Sequence, residues 1–353
     1  YITPKPKNMI KTGIASYGMS GNLFHAPFIA NHPGFELTAI VERNKTESRR
    51  RYPDSILYRS FEEMLANDNL QLIIVNTPTH THYEYTKAAL QAGKDVLVEK
   101  PFTVKLEEAI ELNELAKSTG RLLTVYQNRR YDGDFKALKA ALESGKLGKI
   151  VEAEFRYDRF RVESSGKAHK EGDLGGAGLV HDLGAHLIDQ TLQLFGTPTA
   201  VFADIRVLRS TVKANDYFEI LLYYPELRVR LKSTVMAKES LYPFILHGDN
   251  GSFLQQRSDL QEESLLKEIE PSLESWCPAT GKADGILHYM ENGESVRVET
   301  ISAPGNYMDY FNDVYLALTG KGPNPVPATD AIKTMTIIEK AFESAAAGKI
   351  VNL

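Results

Sequence analysis

Three short stretches of this 353-residue chain carry residue types at spacings that chemistry uses. The first is SYGMSG, residues 16–21. A phosphate-binding turn of the form GxGxxG uses its first glycine for a tight turn, its second for close approach of the backbone to a pyrophosphate, and its third for packing a helix against a strand. Gly18 and Gly21 stand at the second and third positions, and Ser16 replaces the first. Tyr17 and Met19 complete the loop, and the helix end opened by Gly18 presents free amides to phosphate. Glu42 closes the apolar run LTAIVE, 21 residues beyond Gly21, where an acid is expected to accept from an adenosine ribose diol. That carboxylate favours NAD. Arg43 beside it argues for NADP, because a guanidinium pairs with a ribose phosphate. The expectation is NAD or NADP, with NAD slightly favoured. An ordinary glycine-containing loop also explains SYGMSG taken alone.

The second stretch, VLVEKPFTV, places Glu99, Lys100 and Pro101 directly after an apolar run. Ligands of open α/β sheets bind beyond the carboxyl ends of the strands, so Lys100 is positioned to meet a substrate or cofactor. Pro101 restricts Lys100 to extended torsions and is a candidate for a cis bond. The competing reading of Lys100 is a solvated loop residue. The third stretch is HDLGAHLID. Asp182 and His186 are four residues apart, one helical turn, and Asp189 continues the same face. A carboxylate beside an imidazole orients it and raises its basicity, as proton transfer to a hydroxyl near neutral pH requires. The competing readings are a capping Asp with a packed His, and a metal set of His181, Asp182 and His186; no HExxH pattern supports the metal, and none is expected.

These residues need elements to hold them. The first third of the chain alternates short apolar runs (MIKTGIA, FELTAIVE, LQLIIVNTP, DVLVEK, RLLTVYQN) with segments of helical spacing such as THYEYTKAALQAG and KLEEAIELNELAKSTG. Strands alternating with helices imply a doubly wound parallel sheet, and Gly93 and Gly120 fall where helices should stop. Past about Arg130 the texture changes to alternating strands joined by short turns, among them KIVEAEFRYDRFRV and YFEILLYYP, which implies a largely antiparallel sheet with one face polar or partner-covered. GLVHDLGAHLIDQTLQLFG interrupts it as an amphipathic helix, and two helices around GPNPVP end the chain. Two domains also follow from length. Apolar residues make up 42% and charged residues 25%, as in a globular protein, and a net charge of -5 gives no case for nucleic acid or an anionic membrane. The single cysteine, Cys277, excludes an internal disulfide framework and suits a reducing, cytoplasmic compartment. No apolar run reaches the roughly 20 residues of a membrane span. YITPKPKN at the start has charge without a following apolar stretch, so no secretory signal is expected, while a chain beginning at Tyr1 leaves a removed leader open.

FHAPFI, AALQAGKDVLVEKP, QNRRYDGDF, GLVHDLGAHLIDQTLQLFG and the closing PNPVPATDAIKTMTIIEKAFES together resemble the glucose-fructose oxidoreductase / inositol dehydrogenase / MocA (Gfo/Idh/MocA) family of NAD(P)-dependent oxidoreductases, nearest the branch with scyllo-inositol dehydrogenases. The resemblance implies a Rossmann dinucleotide-binding domain over 8–128. It also implies an α+β domain over 129–353, with a large, mainly antiparallel open-faced sheet for substrate binding and oligomerisation. Its motif lysine matches Lys100, and its aspartate and histidine match Asp182 and His186, the set described as catalytic. His186 is then the general acid/base, Asp182 its orienter and Lys100 the cation on the reacting oxygen, with the roles of Lys100 and His186 interchangeable. The motif TPxxxH matches Thr77, Pro78 and His82 along the cofactor, His82 being equally readable as a packed helix-start residue. Ser16 and Tyr131 depart from the glycine and tryptophan usual at their positions. Asn128, Arg129, Arg130, Tyr157, Arg159 and Tyr307 are the expected sugar-pocket residues, with Glu99 on the cofactor side. The implied activity is hydride transfer between nicotinamide and a CH-OH group of a sugar, inositol or polyol. The implied assembly is a homodimer or homotetramer through the C-terminal sheet. Rival readings are a cofactor-binding regulatory protein without turnover, and a redox-cycling enzyme without net oxidation.

Overall fold

Residues 9–353 are described by the computed structural model; the stretch YITPKPKN, read above for a signal and holding the first residue of the 8–128 domain, lies outside them. The chain forms two compact units. One takes the chain up to Asn128 together with Gln261–Cys277 and Asn306–Ala331, and the other holds Arg129–Leu260, Pro278–Gly305 and Ile332–Leu353. Two segments of the stretch expected as one C-terminal domain therefore pack with the first unit. The physical reason is aromatic: Phe28 stacks on Phe311 at 5.0 Å and meets Trp276 edge-on at 5.9 Å.

In the first unit the five apolar runs are strands β1 (Ile10–Ile14), β2 (Phe35–Val41), β4 (Leu72–Val75), β5 (Asp95–Val98) and β6 (Leu123–Val125), and a sixth strand that the runs did not include, β3 (Ile56–Tyr58), joins them. They pair in parallel in the order β3-β2-β1-β4-β5-β6. All of β4 is at 0% exposure, which is why it reads as an unbroken apolar run rather than an alternating one. The helix Leu106–Thr119 stops at Gly120, whose φ of 63° is left-handed. On the outer edge, Val125 donates its N–H to the Val326 carbonyl at 3.1 Å, so β6 does not end in unpaired backbone.

The second unit is built on nine strands: β7 (Ile150–Arg156), β8 (Ala200–Arg206), β9 (Tyr217–Tyr223), β10 (Arg228–Thr234), β11 (Phe244–Gly248), β12 (Gly251–Gln255), β13 (Gly285–Glu291), β14 (Glu294–Thr300) and β15 (Val351–Asn352). Their order is β14-β13-β12-β11-β7-β10-β9-β8-β15; β7 and β10 run parallel and the other neighbours antiparallel. One face is apolar, with Phe218, Ile220, Leu222, Val229, Leu231, Phe244 and Leu246 all at 0% exposure. The other face carries ion pairs: across strands Arg230 meets Glu154 at 3.3 Å and Glu219 at 3.0 Å, and along β7 Arg156 meets Glu154 at 2.8 Å. This alternation is what YFEILLYYP and LRVRLKST encode. Among the described residues, no helix is long and apolar enough to cross a membrane.

Candidate active site

Beyond Ile14 the chain turns through Ser16 into a helix that opens with a π-helical turn, Gly21–His25. Asn76, the first residue after β4, braces this turn. Its Oδ1 accepts the Ser16 N–H at 3.0 Å, and its Nδ2 donates to the Ser16 carbonyl at 2.7 Å. Ser16 is not among the positive-φ residues, so its side chain is accommodated where the motif usually has glycine. A Cβ on Gly21 would lie 2.1 Å from the Ser16 carbonyl oxygen, which forbids any side chain. A Cβ on Gly18 would meet only Ser16 Oγ, at 3.8 Å. Gly21 thus serves the turn's own packing, and Gly18 leaves backbone open to a ligand.

That opening faces a cavity of about 730 Å³ within the first unit. Its walls are Ser16, Tyr17, Gly18 and Met19 after β1, Glu42, Arg43 and Lys45 after β2, Arg59, and Thr77 and Pro78 after β4. It lies beyond the carboxyl ends of the strands where strand order reverses between β1 and β4, the ligand position of open α/β sheets, and its size suits a cofactor. The open Gly18 backbone and the cationic rim at Arg43 fit the pyrophosphate and ribose end of a nicotinamide dinucleotide. Glu42 stands on the cavity wall and also braces the loop that follows it. At 6% exposure, its Oε1 accepts the Glu47 N–H at 3.0 Å, while its Oε2 accepts the Ser48 N–H at 3.0 Å and the Ser48 hydroxyl at 2.5 Å. The carboxylate closes the loop 43–48. Arg59 holds the same loop from outside, donating from Nη1 to the carbonyls of Glu42 at 2.9 Å and Lys45 at 2.6 Å. Tyr17 is nearly buried against Tyr52, with its hydroxyl donating to Asn22 at 3.0 Å, and desolvation raises its pKa.

The Lys100–Pro101 peptide is cis. Glu99 Oε1 accepts from Ser20 Oγ at 2.5 Å and from His25 Nε2 at 2.8 Å, and Oε2 accepts the Lys100 N–H at 3.2 Å. Burial works against the charge on Glu99, yet His25, Ser20 and Lys100 together hold its carboxyl down to about 2. His82 is 1% exposed and opens the helix His82–Gln91. Its ring nitrogens lie 2.9 Å from the Pro101 carbonyl and 2.8 Å from that of Thr77, and burial lowers its pKa. His82 therefore ties the end of β4 to the Glu-Lys-Pro turn, and it does not line the cavity. Tyr307 belongs to this unit too. It is 1% exposed, with its ring tilted against Phe24 and Phe28.

In the second unit, Asp182 stands in a π-helical turn, Val180–Gly184, and His186 in the helix Ala185–Phe195 that continues it. The junction packs on the sheet: a Cβ on Gly184 would touch the Phe218 ring at 3.4 Å. Asp182 is half-buried with Lys170 Nζ 3.6 Å from its carboxylate, and His186 is 4% exposed. His181 is stacked on Phe342 at 5.5 Å, and burial lowers its pKa to about 4. Asp189 does not extend a reactive face; Arg130 grips it bidentately at 2.8 and 2.6 Å. Arg129 Nη2 donates to the Tyr157 hydroxyl at 3.0 Å, and Arg159 lies 5.1 Å above the same ring. Arg159 and Asp182 also line one cavity of about 50 Å³. Asn128, 8% exposed, closes the first segment of the other unit. Sequence reasoning passed over Asn76, Ser20, His25, Ser48, Arg59 and Lys170. Asn76 had a signal, standing directly before Thr77-Pro78, and His25 lies in FHAPFI.

Two family models match the chain. One, described as "Oxidoreductase family, NAD-binding Rossmann fold", matches residues 10–127. The other, described as "Oxidoreductase family, C-terminal alpha/beta domain", matches 139–353. The chain is 40% identical over 336 residues to the uncharacterized oxidoreductase YdgJ of Escherichia coli, covering 95% of this chain and 96% of that one. It is 35% identical over 337 residues to the scyllo-inositol 2-dehydrogenase (NADP(+)) IolW of Bacillus subtilis, covering 95% and 93%. A solved oxidoreductase from Bacillus cereus aligns with a TM-score of 0.87 at 31% identity, covering 98% of this chain and 99% of that one.

Proposed function

We propose that this chain, which belongs to the GFO_IDH_MocA oxidoreductase family, interconverts a secondary alcohol of a sugar, inositol or related polyol and its ketone at the expense of NADP. The observation that carries the reading is the cavity at the β1/β4 reversal with Gly18 open to it. The nicotinamide, when bound, supplies or accepts the hydride. Ser16–Met19, Thr77 and Pro78 bind the cofactor along its backbone, and Gly21 and Asn76 keep the loop in shape. NADP is preferred to NAD in this reading because Glu42 spends both carboxylate oxygens on Glu47 and Ser48, while Arg43 and Lys45 stand on the same cavity. The relative named as an NADP(+) scyllo-inositol dehydrogenase agrees in both cofactor and substrate class.

His186 is assigned the proton transfer at the hydroxyl, Asp182 its orientation, and Lys100 the hold on the reacting oxygen, where a cation lowers the alcohol's pKa. Lys170 balances the charge of Asp182. Tyr157, flanked by Arg129 and Arg159, offers donors suited to a polyhydroxyl substrate. Cofactor binding is thus given to 8–128, and substrate binding and self-association to 129–353. The open sheet face, mixing ion pairs with exposed Phe202 and Met290, supports a homodimer or homotetramer. Cys277, buried and the sole cysteine, supports a cytoplasmic setting. A polyol and ketose panel read by nicotinamide absorbance with NADP and NAD in parallel tests the reading: turnover of at least one member is expected, and cofactor binding without turnover of any would replace it with a regulatory role.

A further inference from the structure

We propose that His25 is a positioning residue for Lys100, acting through Glu99; this rests on the role given to Lys100 above. His25 is at 0% exposure in the π-helical turn Gly21–His25. Its ring is fixed by packing, 4.6 Å from the Tyr126 centroid and 6.1 Å from that of Phe311. A buried imidazole held this tightly by aromatic neighbours spends its polar capacity on one partner. Nε2 meets Glu99 Oε1 at 2.8 Å, and Nδ1 has no hydrogen-bond partner among the described residues. Ser20 Oγ donates to the same Glu99 oxygen.

The consequence lies on the other oxygen. With Oε1 held by two donors, Oε2 is turned to the backbone N–H of Lys100 at 3.2 Å, which fixes the turn carrying the lysine. A carboxylate deprived of those donors is driven to the nearest cation, because a buried charge without partners is strongly disfavoured. The cation one residue away is the Lys100 ammonium. His25 and Ser20 thus keep Glu99 from capturing the Lys100 amine, and they do so from the helix that the glycine loop starts. Among the described residues, the charged and titratable groups that act on or feel Glu99 include His25, Lys100 and His82, the last coupled to it by charge.

The test reads Lys100 without turnover. Lysines of the full-length chain are reductively methylated with ¹³C-formaldehyde, and the Lys100 resonance is identified by its loss in Lys100→Arg. His25→Phe, which keeps the ring and loses the donor, is expected to move that resonance by more than a linewidth at pH 7. His25→Gln, whose amide nitrogen reaches the place of Nε2, should return it at least half way. In a Glu99→Gln background, His25→Phe should leave it unmoved, since the effect passes through the carboxylate. Should His25→Phe fail to fold, His25→Asn carries the same expectation, its amide falling short of Glu99. NADPH affinity within about threefold of the parent in each single His25 variant shows that the loop is intact. An unmoved resonance in folded His25→Phe or His25→Asn overturns the proposal, as does an equal shift with Gln at 99. Neither result bears on whether Lys100 is needed for turnover, which Lys100→Arg reports separately.

Discussion

Replacing Arg43 by alanine isolates the choice between NADP and NAD. Arg43 is exposed on the rim of the 730 Å³ cavity, next to a glutamate whose two oxygens already accept three hydrogens. A unit charge pair at 4 Å is worth about 1 kcal/mol in water and about 4 kcal/mol at an effective dielectric of 20. An exposed rim lies near the lower figure, and a guanidinium–phosphate hydrogen bond adds to it. Arg43→Ala should therefore weaken a ribose-phosphate ligand by about 1.4 kcal/mol, or roughly tenfold. The assay is calorimetric titration with 2′,5′-ADP and 5′-AMP, confirmed by NADPH and NADH fluorescence. The parent should bind 2′,5′-ADP at least about tenfold more tightly than 5′-AMP, and Arg43→Ala should erase most of that difference while leaving 5′-AMP within twofold. Raising salt should reproduce part of the loss, since an exposed pair is screened. Equal affinity of the parent for the two ligands, or an equal loss of both in the variant, refutes the reasoning and returns Glu42 to the role of a ribose acceptor.

Gly21→Ala should abolish measurable NADPH binding, because the new Cβ would lie 2.1 Å from the Ser16 carbonyl and the turn must open; fluorescence titration checks it. Asn76→Leu removes both hydrogen bonds that hold Ser16 and should lower NADPH affinity at least about tenfold, with Tm reduced by a few degrees. The pH dependence of stability follows from His181, whose pKa falls from 6.5 to about 4 on folding because burial disfavours its charge. The unfolded chain then binds the extra proton, so stability is complete above about pH 6.5 and is lost as pH falls toward 4, by up to about 3 kcal/mol from this residue. His82 and His32 push the same way. His181→Phe should flatten that part of the Tm–pH curve, and an unchanged slope would contradict the assignment.

The parallel sheet was legible because burial on both faces leaves a direct trace: Leu72–Val75 and Val96–Val98 are apolar without interruption, and all are at 0% exposure. The second sheet was legible through the opposite pattern, with Phe218, Ile220 and Leu222 inward and Glu219 and Leu221 outward. Gly18 and Gly21 were readable because their two tasks are local to the turn. The brace that Glu42 gives residues 43–48 was not, since it depends on how that loop closes, and short polar loops carry no periodicity. Asn76, Arg59 and His25 act across 60, 14 to 17 and 74 residues, through contacts that only tertiary packing creates. The same holds for Trp276 and Phe311, whose place beside Phe28 assigns their segments to the first unit.

The central claim is direct transfer between NADP and a carbinol carbon. NADPH deuterated at the transferring position, incubated with the protein and a panel of inososes and ketoses, tests it by mass spectrometry of the alcohols formed. The account predicts one deuterium on the new carbinol carbon of at least one product, lost together with turnover in Lys100→Met and His186→Ala. Alcohol formed without deuterium, or no alcohol from any panel member while NADPH remains bound, would contradict it.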